Sequence, residues 1–201
     1  MITKQMKVHI PIDEVKQLAD LGSIQYELGI AKQLCELALI ERDDTNKNAI
    51  LIDGLVTAAV IRYVRCFHNT GKRFGLARED VPKDLLDAHD HLKKVRDKHV
   101  AHSVNTYEQP YVSAYIELED GIRKPFTMLL TESERVIFNK NNAGALHALI
   151  EIILEGVEKN KSIEHDKALI AVNKLDECLI NSFTPWAPME VDPSKVGAGR
   201  K

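Results

Sequence analysis

A mainly α, single-domain protein with a small β-hairpin insertion is what this sequence predicts, and three observations carry the prediction. Apolar residues recur at helical spacing over most of the first hundred residues and again from residue 142 to 183. One stretch between them, "YVSAYIELEDGIRKPFTMLL", is rich in β-branched and aromatic residues and contains an Asp-Gly turn signal. The chain has 201 residues with 44% hydrophobic content, enough for one core and an ordinary fraction for a globular domain.

After a short extended start, residues 12–20 and 23–42 read as two helices, the second with Ile24, Leu28, Ala31, Leu34 and Ala38 on one face. "ERDDT" is a polar break, and residues 46–69 form a long helix. There Leu51, Leu55 and Ala58 make an apolar stripe that Arg62, Arg65 and Asn69 continue. "TGKRFGLARED" is a loop. Asp80 is placed to cap the next helix and Pro82 to fill its first turn, and that helix runs through "KDLLDAHDHLKKVRDKHVAHS". The hairpin lies near residues 111–130, turning at Asp120-Gly121, and Thr131 opens a short polar helix. Residues 142–160 and 162–183 read as two further helices. Residues 1–183 thus form the helical domain, and residues 184–201, with prolines, glycines and no period, form a loose tail.

No apolar run reaches transmembrane length, and the N-terminal stretch has no apolar core of signal-peptide length. Cys35, Cys66 and Cys178 are too few and too far apart for a disulfide framework or a metal set, so a reducing cytoplasm is expected. The formal charge of −3 gives no global attraction to nucleic acid. Locally the balance differs. From Arg62 to Lys98 there are ten Lys/Arg against six Asp/Glu, and five of the histidines fall between His68 and His102. Such a patch attracts phosphate.

The segment "KKVRDKHVAHS" concentrates this chemistry. Counted at about 100° per residue from Leu85, Ala88, Leu92, Val95 and His99 fall on one face, with Arg96 about 20° from Leu85 and His102 about 100° away. Arg96, His99 and His102 make an i, i+3, i+6 ridge that continues the apolar stripe. A buried arginine is costly without a partner, so a cleft or an interface explains the ridge better than a sealed core. The alternative roles are structural: Arg96 paired with Asp90 or Asp97, His99 in the core, His102 at a helix C-terminus, and Arg62 and Arg65 in ion pairs. His89 and His91 diverge by roughly 160° as the helix turns, and no ligand set is completed, so neither metal nor cofactor is expected.

"RDKHVAH" resembles the signature of the HEPN superfamily, an arginine followed after four to six residues by a histidine, late in a long helix of a helical domain. Here five residues separate Arg96 from His102, and Asp97 follows the arginine. The resemblance implies a HEPN-like helical bundle and a metal-independent endoribonuclease or RNA-binding protein. It implies abortive-infection (phage-defence) or toxin–antitoxin biology, with a second copy, RNA and an antitoxin protein as partners. On it, Arg96, His102 and Asp97 are the catalytic residues, His99 supports them, and Arg62, Arg65 and Lys98 hold phosphate. The residue types suit the chemistry. RNA supplies its own 2′-hydroxyl nucleophile, a near-neutral histidine can move that proton, and an arginine fork can brace the charge on phosphorus. The alternative is a non-catalytic helical module that uses the ridge for dimer packing.

Overall fold

The structure is a computed structural model that describes residues 6–41, 46–67, 74–97, 108–119, 122–135 and 137–187. It is mainly α. Helix α1 (Lys16–Ile40) follows a single 3-10 turn at Asp13–Val15, and helix α2 (Asn46–Arg65) returns antiparallel to it. Two more 3-10 turns, Arg78–Asp80 and Lys83–Leu85, lead into the short helix α3 (Leu86–Val95). Strands β1 (Glu108–Glu119) and β2 (Ile122–Arg135) form an antiparallel pair, and helix α4 (Lys140–Val172) and the short helix α5 (Glu177–Ser182) complete the fold.

Helix α1 is the central element, packed against both α2 and α4. Its core face is Leu21, Ile24, Leu28, Ala31, Cys35 and Ala38, each fully buried. Ile52, Val56, Val60 and Tyr63 meet them from α2, and Leu146, Ile150, Ile153 and Val157 from α4. The 33 residues of α4 rise about 50 Å, enough to run the full length of α1. Polar bridges fix their antiparallel register. Lys161 Nζ donates to Gln25 Oε1 at 2.7 Å, Lys32 Nζ to Glu151 at 2.8 Å, and His147 Nε2 lies 3.3 Å from Glu36. Burial drives the Cys35 thiol up to about 12, so this cysteine acts as a small apolar filler.

Four sequence expectations change here. The break expected near Gly22 is absent, because Leu21 and Ile24 on either side are both fully buried and their packing outweighs glycine's helix cost of about 1 kcal/mol. The break expected at residue 161 is also absent. Helix α4 runs on to Val172, tied to α1 by Lys161 and buried at Ala168, and the real break is the turn that Asp176 closes by capping Leu179 N at 2.7 Å. Asp80 does not cap α3. Its carboxylate accepts from Ala77 N at 2.7 Å and closes the preceding 3-10 turn, while Pro82 stands just before the turn that enters α3. The polar helix expected at Thr131 is strand instead. The hairpin ladder extends to Glu108 opposite Arg135, so a strand entered earlier than its apolar run begins carries its partner past Leu130. The expected turn at Asp120-Gly121 lies outside the described residues, and the strands pair on either side of it, Glu119 with Ile122.

Two buried or half-buried carboxylates staple loops to the helices by accepting backbone N–H groups. Asp20 on α1 holds Phe74 N at 2.9 Å, and Asp53 on α2 holds Phe138 N at 2.8 Å. The chain beyond Phe183 begins with a clasp: His9 N donates to Thr184 O and Trp186 N to Lys7 O, each at 2.9 Å. Lys7 Nζ also stands 3.9 Å from the centre of the half-exposed Trp186 ring. The remaining tail, residues 188–201, lies outside the described residues.

Candidate nucleic-acid interface at the end of helix α3

Helix α3 is held to the bundle by Leu85, His89 and Leu92, spaced i, i+4, i+7, and Arg96 follows at i+11 on the same line. Leu85 and Leu92 are half-buried against the core, while His89 and Val95 are buried. Ala88, expected on that face, is exposed. The most buried member of the stripe is His89, about 40° from Leu85.

His89 is a built part of the core. Its Nδ1 lies 2.8 Å from the Tyr63 hydroxyl, and its ring stands 4.4 Å from the Phe67 ring centre to centre. Burial lowers the pKa of His89 and raises that of Tyr63, so at neutral pH the imidazole is uncharged and the phenol keeps its proton. The hydroxyl then donates and Nδ1 accepts. His91, two residues on, is exposed, so the two histidines diverge as the helical count requires. Asp90 is claimed by Arg78, whose Nη2 donates at 2.7 Å and Nε at 3.1 Å in a fork. That contact straps the 3-10 turn to α3 and holds the Asp90 carboxyl below its usual range.

Arg96 thus does not pair with Asp90. Its Nη1 lies 2.7 Å from Oδ1 of the adjacent Asp97, with the arginine side chain 25% exposed and the aspartate 49%. The backbone widens into a π-type turn over these two residues, a distortion that recurs at functional sites. The structure thus brings Arg96 and Asp97 together at the end of the buried stripe. Lys98, His99 and His102 lie outside the described residues.

On α2 the buried stripe is Ile52, Val56, Ala59, Val60 and Tyr63, rotated about 120° from the expected Leu51, Leu55 and Ala58. Leu51 is exposed, and Leu55 only half-buried. Arg62 and Arg65 accordingly do not extend the core face. They lie off it and reach Glu27 on α1, Arg62 Nη1 at 2.8 Å from one carboxylate oxygen and Arg65 Nη2 at 3.8 Å from the other. The Glu27 side chain is only 14% exposed. Arg65 remains 54% exposed and keeps donors open to solvent. The residues missed by sequence reasoning are Tyr63, His89 and Glu27. The i, i+4 pair Tyr63 and Phe67 was the available signal for an aromatic pocket, but nothing in the sequence said that His89 would enter it.

No protein-family model matches the chain, and neither the curated proteins nor the solved structures give a significant match. Among the described residues, no helix is long and apolar enough to cross a membrane.

Proposed function

We propose that this chain is a HEPN-like, metal-independent endoribonuclease or RNA-binding protein acting in phage defence or toxin–antitoxin biology. Arg96 is the phosphate clamp, Asp97 orients it, His102 moves the proton, and His99 supports the site. The observation that supports this reading best is the position of Arg96. It ends the stripe that fastens α3 to the bundle, partly open to solvent, in a π-type turn and held by its own neighbour Asp97. A guanidinium so placed can exchange or share its carboxylate for a phosphate without leaving a buried charge unpaired. Arg62 and Arg65 sit on Glu27, so their part in phosphate binding is to supply the open donors of Arg65. Lys98 adds charge next to the motif.

The experiment is incubation of the pure protein with bulk RNA in EDTA, followed on a denaturing gel. Cleavage that survives chelation and is abolished by His102→Ala, but only weakened by His99→Ala, is the expected result. Cleavage unchanged in the His102 variant removes the assignment. A second reading, a non-catalytic helical module, is favoured by one observation: the solvent face of α1 is apolar, with Tyr26, Leu37 and Ile40 exposed. RNA left intact under all conditions, from a protein that self-associates, selects that reading.

A further inference from the structure

Strands β1 and β2 are 12 and 14 residues long and form a sheet of only two among the described residues. Each contacts the other along its length and no helix to a comparable extent. A typical strand has about five to six residues, and a two-stranded hairpin on its own is marginal in water. A long unpaired edge is a template for a further strand, and proteins that do not use such an edge block it.

The prolines show which edge is blocked. Pro110 pairs with Ser133, and Pro125 with Ile116. Proline has no N–H to give to the ladder, so each marks a pair whose backbone groups point away from the partner strand. Pro110 and Ile116 are an even number of residues apart on β1, so both prolines assign the same positions. On β1 the outward groups are those of Val112, Ala114, Ile116 and Leu118. On β2 they are those of Thr131, Leu129, Pro125 and Arg123. The edge of β2 is broken by Pro125 and by the irregularity that sets Phe126, Thr127 and Met128 opposite the single Tyr115. The edge of β1 runs without proline or bulge from Val112 to Leu118, and Val112 on it is 64% exposed.

The chemistry of this edge identifies its occupant. Val112, Ala114, Ile116 and Leu118 share one face of the sheet, and all four are apolar. The alternate positions on β1 are Tyr111, Ser113, Tyr115, Glu117 and Glu119. Cross-strand neighbours share a face, so a strand laid on β1 alternates apolar residues with residues that suit the glutamate face. From Glu108 to Arg135 there are six acidic residues against three basic ones, a balance that repels an RNA backbone and attracts a basic chain.

We propose that the β1 edge from Val112 to Leu118 takes up an extended segment of a partner protein, alternating apolar and Lys/Arg residues, as the third strand of the sheet. Main-chain hydrogen bonds to the four outward residues hold the segment, and the two faces of β1 select its sequence. The proposal does not rest on the ribonuclease reading, since peptide uptake and RNA cleavage are measured separately.

The test uses the full chain and a short fluorescein-labelled peptide alternating lysine and valine. Binding is read by fluorescence anisotropy, and amide hydrogen exchange by NMR. A peptide of the same composition with its lysines and valines in separate blocks, and one alternating glutamate and valine, are each expected to bind at least about tenfold more weakly. In the free protein the amides of Val112, Ala114, Ile116 and Leu118 are expected to exchange fast and those of Ser113 and Glu117 slowly, and the alternating peptide slows the first set. Ala114→Pro removes an outward N–H and is expected to abolish binding. Thr131→Pro makes the same change on the β2 edge and is expected to leave binding intact. Outward amides already protected in the free protein overturn the proposal, because this chain or another copy of it then covers the edge. Equal binding of the three peptides, binding of none, binding that survives Ala114→Pro, or binding lost in both proline variants overturns it as well.

Discussion

Replacing Tyr63 by phenylalanine removes one oxygen from the middle of the core and nothing else. The ring keeps its place between Phe67 and His89, so no cavity of side-chain size opens. The loss is the 2.8 Å hydrogen bond to His89 Nδ1, at a site where Tyr63 is fully buried and His89 is 2% exposed. A typical hydrogen bond is worth about 1 kcal/mol net, but a buried acceptor left without its donor costs about 1–3 kcal/mol. Tyr63→Phe should therefore destabilise by about 1–3 kcal/mol. For a chain of this length each kcal/mol lowers Tm by about 2–4 °C. His89→Leu should cost a similar amount, because it strands the hydroxyl. The double variant should cost less than the two singles together, since two apolar groups no longer oblige each other. Urea denaturation of the four proteins measures the coupling. A Tyr63→Phe change below the roughly 0.5 kcal/mol of a surface substitution, or strict additivity in the cycle, refutes the claim that this pair anchors α3 to α2.

The same histidine sets a pH dependence. Its pKa is lowered in the folded state, so the unfolded chain binds the extra proton first, and the stability it contributes is complete above the unfolded value near 6.5 and lost as pH falls below it. Thermal melts from pH 8 to pH 5 should show this loss, and His89→Leu should flatten that part of the curve. Glu27→Gln should lower stability by about 1 kcal/mol, discounted for the exposure of Arg62 and Arg65, while RNA retention on a filter rises as the two arginines lose their carboxylate. Truncation after Phe183 should cost about 1–2 kcal/mol rather than nothing, for it removes the two backbone bonds to Lys7 and His9. An unchanged midpoint on denaturation would show that the clasp does not hold the fold.

How far the sequence carries depends on which forces write themselves locally. The hairpin was legible because β-branched residues and the Asp-Gly turn act over a few positions. The start of α4, to within two residues, and the start of α2 were legible for similar reasons of spacing and capping, as Asn139 shows by accepting from Asn141 N and Asn142 N. Helix continuity was not, because Gly22 and the pair Asn160 and Ser162 are weak by propensity and packing between α1 and α4 overrides them. The stripe on α2 was misplaced by about 120° because α2 is apolar on more than one side, so that Leu51 and Ile52 compete for the core and only the position of α1 decides. Arg96 lies just past the end of α3, half-buried beside Asp97. The partners Glu27 for Arg62, and Arg78 for Asp90, were not legible, since charges 35 and 12 residues apart meet only in the folded chain.

Arg96 is where the functional account is most exposed, so Arg96→Ala is its most direct test. The variant's Tm should stay close to wild type, because its partner Asp97 is half-exposed and solvates readily once alone. Its rate of RNA cleavage in EDTA, read from fragments ending in a 2′,3′-cyclic phosphate, should fall by about a hundredfold or more, as expected when a charge-stabilising donor is removed. Wild-type cleavage rates from the Arg96→Ala protein, or fragments with any other end, would contradict the account.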